Sequence, residues 1–302
     1  MATRASAKPL TGTRIVSLAL NLPGPAALMR LAAMGARCLK VEPPGPGAMA
    51  SGRPISGDPM GQYDIGAYNV MHESVRVVQI DLKTERGQTQ LGRELLRADL
   101  LMTSFRPSAL AKLGLEWKAL RRSHPHLSMV EIVGAPGERA DEPGHDLTYL
   151  AEAGLVTGTE LPPSLLADMA GALMASEAAL SALMQARASG RGQHRQVALS
   201  SAAEWLALPR TWGLTLASGA VGGAHAGYRV YPCKDGRVAI AALEPHFARA
   251  LFAVAGLPEP DARAPFAPQA REAIAAWALT KTRRQLDQLA DRHDIPLCTL
   301  SK

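Results

Sequence analysis

The sequence predicts an α/β protein with a large parallel-sheet domain followed by a smaller α+β domain. Strand-like and helix-like segments alternate through the first half of the chain, and 302 residues exceed the usual size of one compact core. A glycine-rich segment, "SGAVGGAHAGY", then precedes a hairpin pattern. We therefore expect a large domain over 1–205, a linker over 206–226 and a small domain over 227–302.

The strands of the large domain are predicted from short apolar runs. "TRIVSLAL", "ARCLKVE", "VRVVQIDL", "DLLMTSF" and "LSMVEIVG" are typical of buried strands, and helical patterns such as "GPAALMRLAAMG" and "TERGQTQLGRELLRA" lie between them. A Gly/Pro/Met-rich loop over 43–61 interrupts this alternation. Strands joined by helical crossovers imply a Rossmann-like layer with helices on both faces. Ligands of such a layer bind beyond the carboxyl ends of its strands.

The second half begins with one long Ala-rich helix and continues with a hairpin. The window "LLADMAGALMASEAALSALMQA" carries Asp168 and Glu177, so a buried helix explains it better than a membrane span, and Gly190 is a suitable C-terminal cap. "YRVYPCKDGRVAIAAL" predicts two strands joined at Asp235 and Gly236. Helical segments from Glu244 onward complete the small domain.

Composition narrows the class of ligand. The net charge of +6 and pI near 9.4 indicate an anionic partner, but 4% aromatic residues argue against a nucleic-acid stacking platform. A phosphorylated small molecule fits the charge. Neither G-x-G-x-x-G nor a P-loop motif occurs. Three widely spaced cysteines predict neither disulfides nor a zinc site, and the expected location is the cytoplasm, with a short disordered N-terminal lead-in and no membrane partner.

Three titratable residues are candidates for chemistry. Asp168 opens the Ala-rich helix, where it is either a helix cap or an ionised base or nucleophile. His145 is either a structural histidine near a helix start or a proton-transfer group, and Glu244 is either a first-turn acid or its partner. Local sequence alone leaves these alternatives open.

Several segments together resemble one known family. "GHDLTYLAEAGL", "LLADMAGALMASEAALSALMQARASGRGQ" and "YPCKDGRVAIAALEPHF" resemble the class III CoA-transferases (CaiB/BaiF), most closely the α-methylacyl-CoA racemases. "LPGPAALMRLAAMGARCLKVEPPG" and "VVQIDLKTERGQTQLGRELLRADLLMTSFRPSALAKLGL" match in the same order, so the resemblance covers most of the chain.

The resemblance implies specific catalytic roles. The family's catalytic aspartate falls on Asp168, which in the transferases forms a mixed anhydride and then a thioester with CoA. In the racemases it is one base, and His145, partnered by Glu244, is the opposite one. The leading prediction is α-proton transfer on a 2-methylacyl-CoA thioester. The alternatives are CoA transfer between carboxylic acids and a catalytically silent CoA-binding relative.

The resemblance also implies how coenzyme A and a second chain are bound. Arg106 and Lys40 are the leading candidates for phosphate contacts, and Arg76 and Lys83 are weaker ones. No metal is expected, because His124 and His126 are typical of a loop. "MHESV" replaces a basic turn that family members usually carry. A homodimer is implied; family chains interlock, but most continue beyond "DIPLCTLSK", so an open ring is the alternative.

Overall fold

The computed structural model describes residues 8–47 and 55–301. The predicted N-terminal lead-in and the middle of the predicted 43–61 loop lie outside these residues. The chain divides into two compact units, Met1–Ala207 and Leu208–Lys302. Each unit is described by itself.

A six-stranded parallel sheet forms the first unit, with the strand order β3-β2-β1-β4-β5-β6. Its strands are β1 (Arg14–Ser17), β2 (Arg37–Glu42), β3 (Arg76–Gln79), β4 (Leu100–Thr103), β5 (Ser128–Val133) and β6 (His194–Ala198). The direction of strand addition reverses between β1 and β4, which is the point where open α/β sheets bind ligands. The predicted α/β class with a Rossmann-like layer is confirmed.

Helices cover both faces of this sheet. They are α1 (Pro23–Ala33), α2 (Pro59–Tyr63), α3 (Ile65–His72), α4 (Glu85–Leu95), α5 (Pro107–Leu113), α6 (Trp117–Ser123), α7 (Asp146–Glu152), α8 (Leu166–Ser189) and α9 (Leu199–Thr211). Neighbouring strand residues point to opposite sides: Ile15 packs in the core beneath α1 and α8, and Val16 packs in the core beneath α4, α5 and α6.

Small residues allow α8 to lie close to the sheet and to α1. Ala172, Ala175, Ala179 and Ala182 are at most 1% exposed, and they repeat at helical spacing. Within the described residues α8 alone is long and apolar enough to cross a membrane, but half of its apolar window is buried inside the fold. The helix ends at Gly190 in the left-handed region, as predicted.

The second unit contains an antiparallel sheet in the order β7-β8-β9, with helices packed on it. Its elements are β7 (Tyr228–Cys233), β8 (Gly236–Ala241), α10 (Pro245–Val254), α11 (Pro268–Leu279), α12 (Arg283–His293) and β9 (Leu297–Leu300). The predicted hairpin is therefore present with its turn at Asp235. Val238, Leu251, Ile274 and Leu286 are fully buried in its core.

The sequence patterns missed four elements. The short helix α2 begins within the loop predicted over 43–61, while α3 and most of the strand β6 lie in stretches for which no element was predicted. β6 is a half-buried edge strand with the sequence "HRQVA", which lacks a long apolar run. β9 lies in the part of the chain from Glu244 onward for which only helical segments were predicted.

The close packing of α8 predicts a position-dependent response to a larger side chain. Ala182→Leu should lower the free energy of unfolding by about 1–3 kcal/mol, because the buried position has no room for three more carbons. Urea denaturation measures the change. Ser181→Leu, on the exposed side of the same turn, is the matched control, and an equal loss in both variants would contradict the packing described.

Candidate active site

A cleft of about 240 Å³ opens at the carboxyl ends of β1, β4 and β5. It lies at the reversal point of the sheet, where the loops after these strands meet the starts of α5, α7 and α8. The lining residues are Leu20, Asn21, Pro23, Ser104, Phe105, Arg106, Ile132, Val133, Gly134, Ala140, Glu142, Pro143, Gly144, His145, Tyr149, Asp168 and Leu199. The cleft thus contains the predicted residues His145, Asp168 and Arg106.

Asp168 lies in the first turn of α8, as its third residue. Burial raises the pKa of its carboxyl group to about 6, and the neighbouring Asp146 carboxylate adds to the effect. The positive end of the α8 dipole favours the ionised form and limits the rise. A carboxylate with a pKa of about 6 is mostly ionised at neutral pH and is a stronger base than an ordinary aspartate.

Asp146 holds the start of α8 in place. Its side chain is 4% exposed, and its Oδ1 accepts a hydrogen bond of 3.0 Å from the backbone N–H of Asp168. This contact joins the first turn of α7 to the first turn of α8. Asp146 therefore acts on Asp168 in two ways, by fixing its backbone and by repelling its charge.

His145 is the N-cap residue of α7. Its backbone N–H donates to Thr148 Oγ1 at 3.1 Å, and Thr148 Oγ1 donates to the His145 carbonyl at 2.7 Å. His145 is exposed and is among the residues that line the cleft. The starts of two helices thus bring an imidazole and a carboxylate to one cavity.

Tyr149 lines the same cleft one turn after His145 and was not identified from the sequence. The ring is 6% exposed, and burial, followed by the charge of Asp168, raises the pKa of its hydroxyl. A Cβ on Gly134 or Gly144 would lie 2.4 Å from Tyr149 Oη, so both glycines leave room for the phenol. The i, i+4 spacing from His145 was the available signal.

Arg106 stands at the N-cap of α5, directly after β4, and its exposed side chain lines the cleft. Lys83 is exposed in the turn between β3 and α4, where its backbone N–H donates to Asp81 Oδ1 at 3.0 Å, and it is not among the cleft residues. Arg76 is the first residue of β3 and lies at the amino end of the sheet. Only Arg106 of the predicted phosphate ligands is brought to the cleft.

Lys40 requires a correction. The side chain is 0% exposed and is paired with Asp58, with Glu42 Oε2 at 3.7 Å and His72 Nε2 at 3.1 Å. The ammonium is therefore satisfied inside the fold and has no exposed face for a ligand phosphate, contrary to our prediction. Asp58 Oδ1 also accepts from the backbone N–H of Asn21 at 3.0 Å, so this buried cluster supports the cleft wall.

Glu244 lies in the second unit, at the N-cap of α10, with an exposed side chain. Its pairing with His145 stays a prediction. No group of three or more His, Cys, Asp or Glu side chains suited to a metal occurs in the part of the chain that the structure describes.

The raised pKa of Asp168 predicts that its charge lowers stability above that pKa. Between about pH 4 and pH 6 the folded state holds a proton that the unfolded chain has released, so the stability contributed by the protonated group is lost as pH rises. Asp168→Asn should therefore unfold with about 1–3 kcal/mol more free energy than the wild type at neutral pH, and the difference should vanish below about pH 4. Urea denaturation across this pH range measures it.

Asp141→Asn is the control, because the pKa of Asp141 is shifted in the opposite direction from that of Asp168. Hydrogen bonds from Ser108 lower the pKa of Asp141, so removing that charge should lower stability at neutral pH. If Asp168→Asn were less stable than the wild type at neutral pH, the burial of its charge would not carry the cost described.

Comparison with known proteins gives a consistent family. The model of CoA-transferase family III matches residues 10–302. Among curated relatives, the probable fatty acyl-CoA transferase Rv3272 of Mycobacterium tuberculosis is 34% identical over 209 residues, which cover 66% of this chain and 52% of the relative. The chain thus spans about half the length of this relative. A crystal structure of Rv3272 covers 98% of this chain and 85% of its own, with 25% identity and a TM-score of 0.81.

Two further relatives carry different activities in their names. The succinyl-CoA–D-citramalate CoA-transferase of Chloroflexus aurantiacus is 30% identical over 329 residues, covering 98% of this chain and 79% of the relative. The alpha-methylacyl-CoA racemase of Homo sapiens is 30% identical over 266 residues, covering 82% of this chain and 65% of the relative. Transferases and racemases thus match at similar identity. With the family model spanning nearly all of the described residues, the chain belongs to CoA-transferase family III.

Proposed function

We propose that this protein is an acyl-CoA enzyme that moves the α-proton of a 2-methylacyl-CoA thioester, working as a homodimer in the cytoplasm. The observation that carries the proposal is the convergence of His145 and Asp168 on one cleft from the starts of two different helices. Epimerisation needs two proton-transfer groups, because one face of the α-carbon loses a proton and the other gains one. A single carboxylate would not meet this need.

Asp168 and His145 together account for the proton that is removed from the α-carbon and the proton that is returned to it. The ionised Asp168 takes the α-proton from one face, and the electron pair moves onto the thioester oxygen as an enolate. Imidazolium at His145 then returns a proton to the other face, and the reverse direction exchanges the roles. General acid–base help of this kind contributes about 10²–10⁴-fold in rate.

The enolate oxygen also needs stabilisation. Backbone N–H groups in the first turn of α8 lie beside Asp168, and a helix N-terminus favours a developing negative charge. Arg106 adds a positive charge to the same cleft. Arg106 is therefore proposed to bind anionic groups of the CoA thioester, with Lys83 as a second contact on an exposed turn.

Glu244 is proposed as the partner of the His145 imidazole. The support is the family resemblance of the segment "AALEPHF" together with the exposure of the Glu244 carboxylate at the N-cap of α10. A carboxylate beside an imidazole fixes its tautomer and favours its charged form.

A second candidate is transfer of CoA between two carboxylic acids through Asp168. Two of the three relatives reported above are named as CoA-transferases. Here the Asp168 carboxylate attacks the thioester carbonyl, which expels CoA thiolate and forms an anhydride. The thiolate then attacks the Asp168 carbonyl, releasing the first acid and leaving an aspartyl-CoA thioester for the second acid. This route uses Asp168 without a catalytic role for His145.

Incubation in heavy water tests the two candidates against each other. With (2S)- or (2R)-2-methylacyl-CoA and no added acid, we expect α-deuterium incorporation together with epimerisation, measured by mass spectrometry and chiral chromatography. His145→Ala and Asp168→Ala should each lose about 10²-fold or more of this exchange. His126→Ala, an exposed histidine outside the cleft, is the matched control and should keep wild-type exchange.

Two other outcomes would contradict the proposal of proton transfer. If CoA passes from the thioester to a free carboxylic acid while the α-proton is retained, and His145→Ala does not impair that transfer, the transferase candidate is correct. If neither reaction occurs but calorimetry detects saturable CoA binding, the protein is a silent CoA-binding relative and the proposal of proton transfer is wrong.

A further inference from the structure

A second cavity lies at the amino-terminal edge of the parallel sheet, at the opposite end of the strands from the cleft. Its volume is about 480 Å³, within the range of about 300–1,000 Å³ typical of small-molecule sites. The lining residues are Arg14, Ile15, Val16, Ala36, Arg37, Cys38, Leu39, Ser74, Arg76, Glu94, Arg97 and Ala98. Four arginines against one glutamate leave a formal charge of +3 on this cavity.

The sheet itself forces two of these arginines together. Arg14 is the first residue of β1, Arg37 is the first residue of β2, and they are direct partners in the parallel register. Neighbouring strands are about 4.8 Å apart, and like charges directly opposite each other are destabilising. Arg76 opens the next strand, opposite Leu39, so the row of arginines continues along the edge.

None of the four guanidinium groups has a close ion-pair partner in the described part of the first unit. The guanidinium groups of Arg14, Arg37, Arg76 and Arg97 form neither a salt bridge nor a side-chain hydrogen bond with any described residue, although ion pairs and side-chain bonds occur elsewhere, as between Arg139 and Glu142. Asp99 lies beside Arg14, but its Oδ2 accepts the backbone N–H of Arg14 at 2.7 Å. The four side chains are exposed and available to a ligand.

We propose that this edge of the sheet, which we call the arginine edge (Arg14, Arg37, Arg76 and Arg97), binds a phosphorylated small molecule with two or more negative charges. The guanidinium group donates in a fork that matches phosphate oxygens in pairs, and charge-assisted bonds of this kind are the strong ones. A diphosphate bridging Arg14 and Arg37 would convert a repulsion into two attractions. The backbones of Arg14, Arg37 and Arg76 are fixed at the starts of three neighbouring strands.

The arginine edge is a separate site from the proposed acyl-CoA cleft. The strands between them have four to six residues, which at about 3.3 Å per residue separates the two ends by about 13–20 Å. The cleft contains Arg106 and none of the four edge arginines. The inference therefore does not depend on which reaction the cleft performs.

Calorimetric titration of the full-length protein tests the site at low ionic strength, with inorganic pyrophosphate and ADP as probes. We expect saturable binding with one site per chain. The double variant Arg14→Gln/Arg37→Gln should lose affinity at least about tenfold, because charge-assisted hydrogen bonds are removed. Arg121→Gln/Arg122→Gln, which removes the same charge from exposed positions on α6, is the matched control and should bind normally.

Any of the following results would overturn the proposal: no saturable binding of either probe, equal loss in the α6 control, loss with Arg106→Gln instead of with the edge variant, or binding only to vesicles of phosphatidylcholine and phosphatidic acid. The third result would assign the phosphate to the cleft, and the fourth would assign it to a membrane surface. Preference for an RNA oligonucleotide over both probes would also contradict a small-molecule site.

Thermal unfolding tests the arginine edge even if pyrophosphate binds too weakly for calorimetry. Without phosphate, Arg37→Gln should raise the melting temperature by about 1–3 °C, because it removes a repulsion from the folded state. With saturating pyrophosphate the wild type should have the higher melting temperature, because it binds the ligand more tightly and is stabilised more by it. A variant that melts below the wild type in phosphate-free buffer would show that the two arginines do not repel each other.

Discussion

The close approach of α8 to the sheet determines where the chemistry of this protein takes place. Alanines line the buried face of α8, and their small side chains allow the helix to pack between α1, β5 and β6. A helix held this closely has a fixed start, and its first turn carries Asp168. The sheet reverses its direction of strand addition at the same end, so the carboxylate meets an open cleft rather than a closed core.

Side chains of like charge lie close together at both ends of the parallel sheet. At the carboxyl end, burial of the Asp168 carboxyl group, followed by the neighbouring Asp146 carboxylate, raises the pKa of Asp168. At the amino end, Arg14 and Arg37 are brought together by strand register. Between these ends, the buried Lys40 is fully paired, with Asp58 as its nearest partner. Like charges held close together lower the stability of the folded state and are often found at functional sites. The carboxylate pair and the arginine pair are therefore both candidate positions for a ligand.

The sequence predicted the elements that have a strong local pattern. The Ala-rich helix with Asp168 near its start and Gly190 at its end was readable because composition, charge and a capping glycine agreed. His145 was recognised through its family segment, and the cleft contains it. β6 was not recognised, because an edge strand of five residues carries little hydrophobic signal.

Contacts between distant residues were beyond sequence reasoning. Lys40 lies within the buried strand β2, and its burial against Asp58 depends on where the chain places the N-cap residue of α2. The hydrogen bond from Asp168 to Asp146 spans 22 positions and is equally invisible in the sequence. Tyr149 lies in the segment "GHDLTYLAEAGL", but no local pattern there marks it as a residue of the site. Its place in the cleft depends on the room left by Gly134 and Gly144.

A crystal structure with a non-hydrolysable thioether analogue of 2-methylacyl-CoA tests the central proposal most directly. We expect the α-carbon to lie between the Asp168 carboxylate and the His145 imidazole, with each group within hydrogen-bond reach of an opposite face of that carbon. An α-carbon outside the cleft, or both side chains on the same face, would contradict proton transfer by this pair.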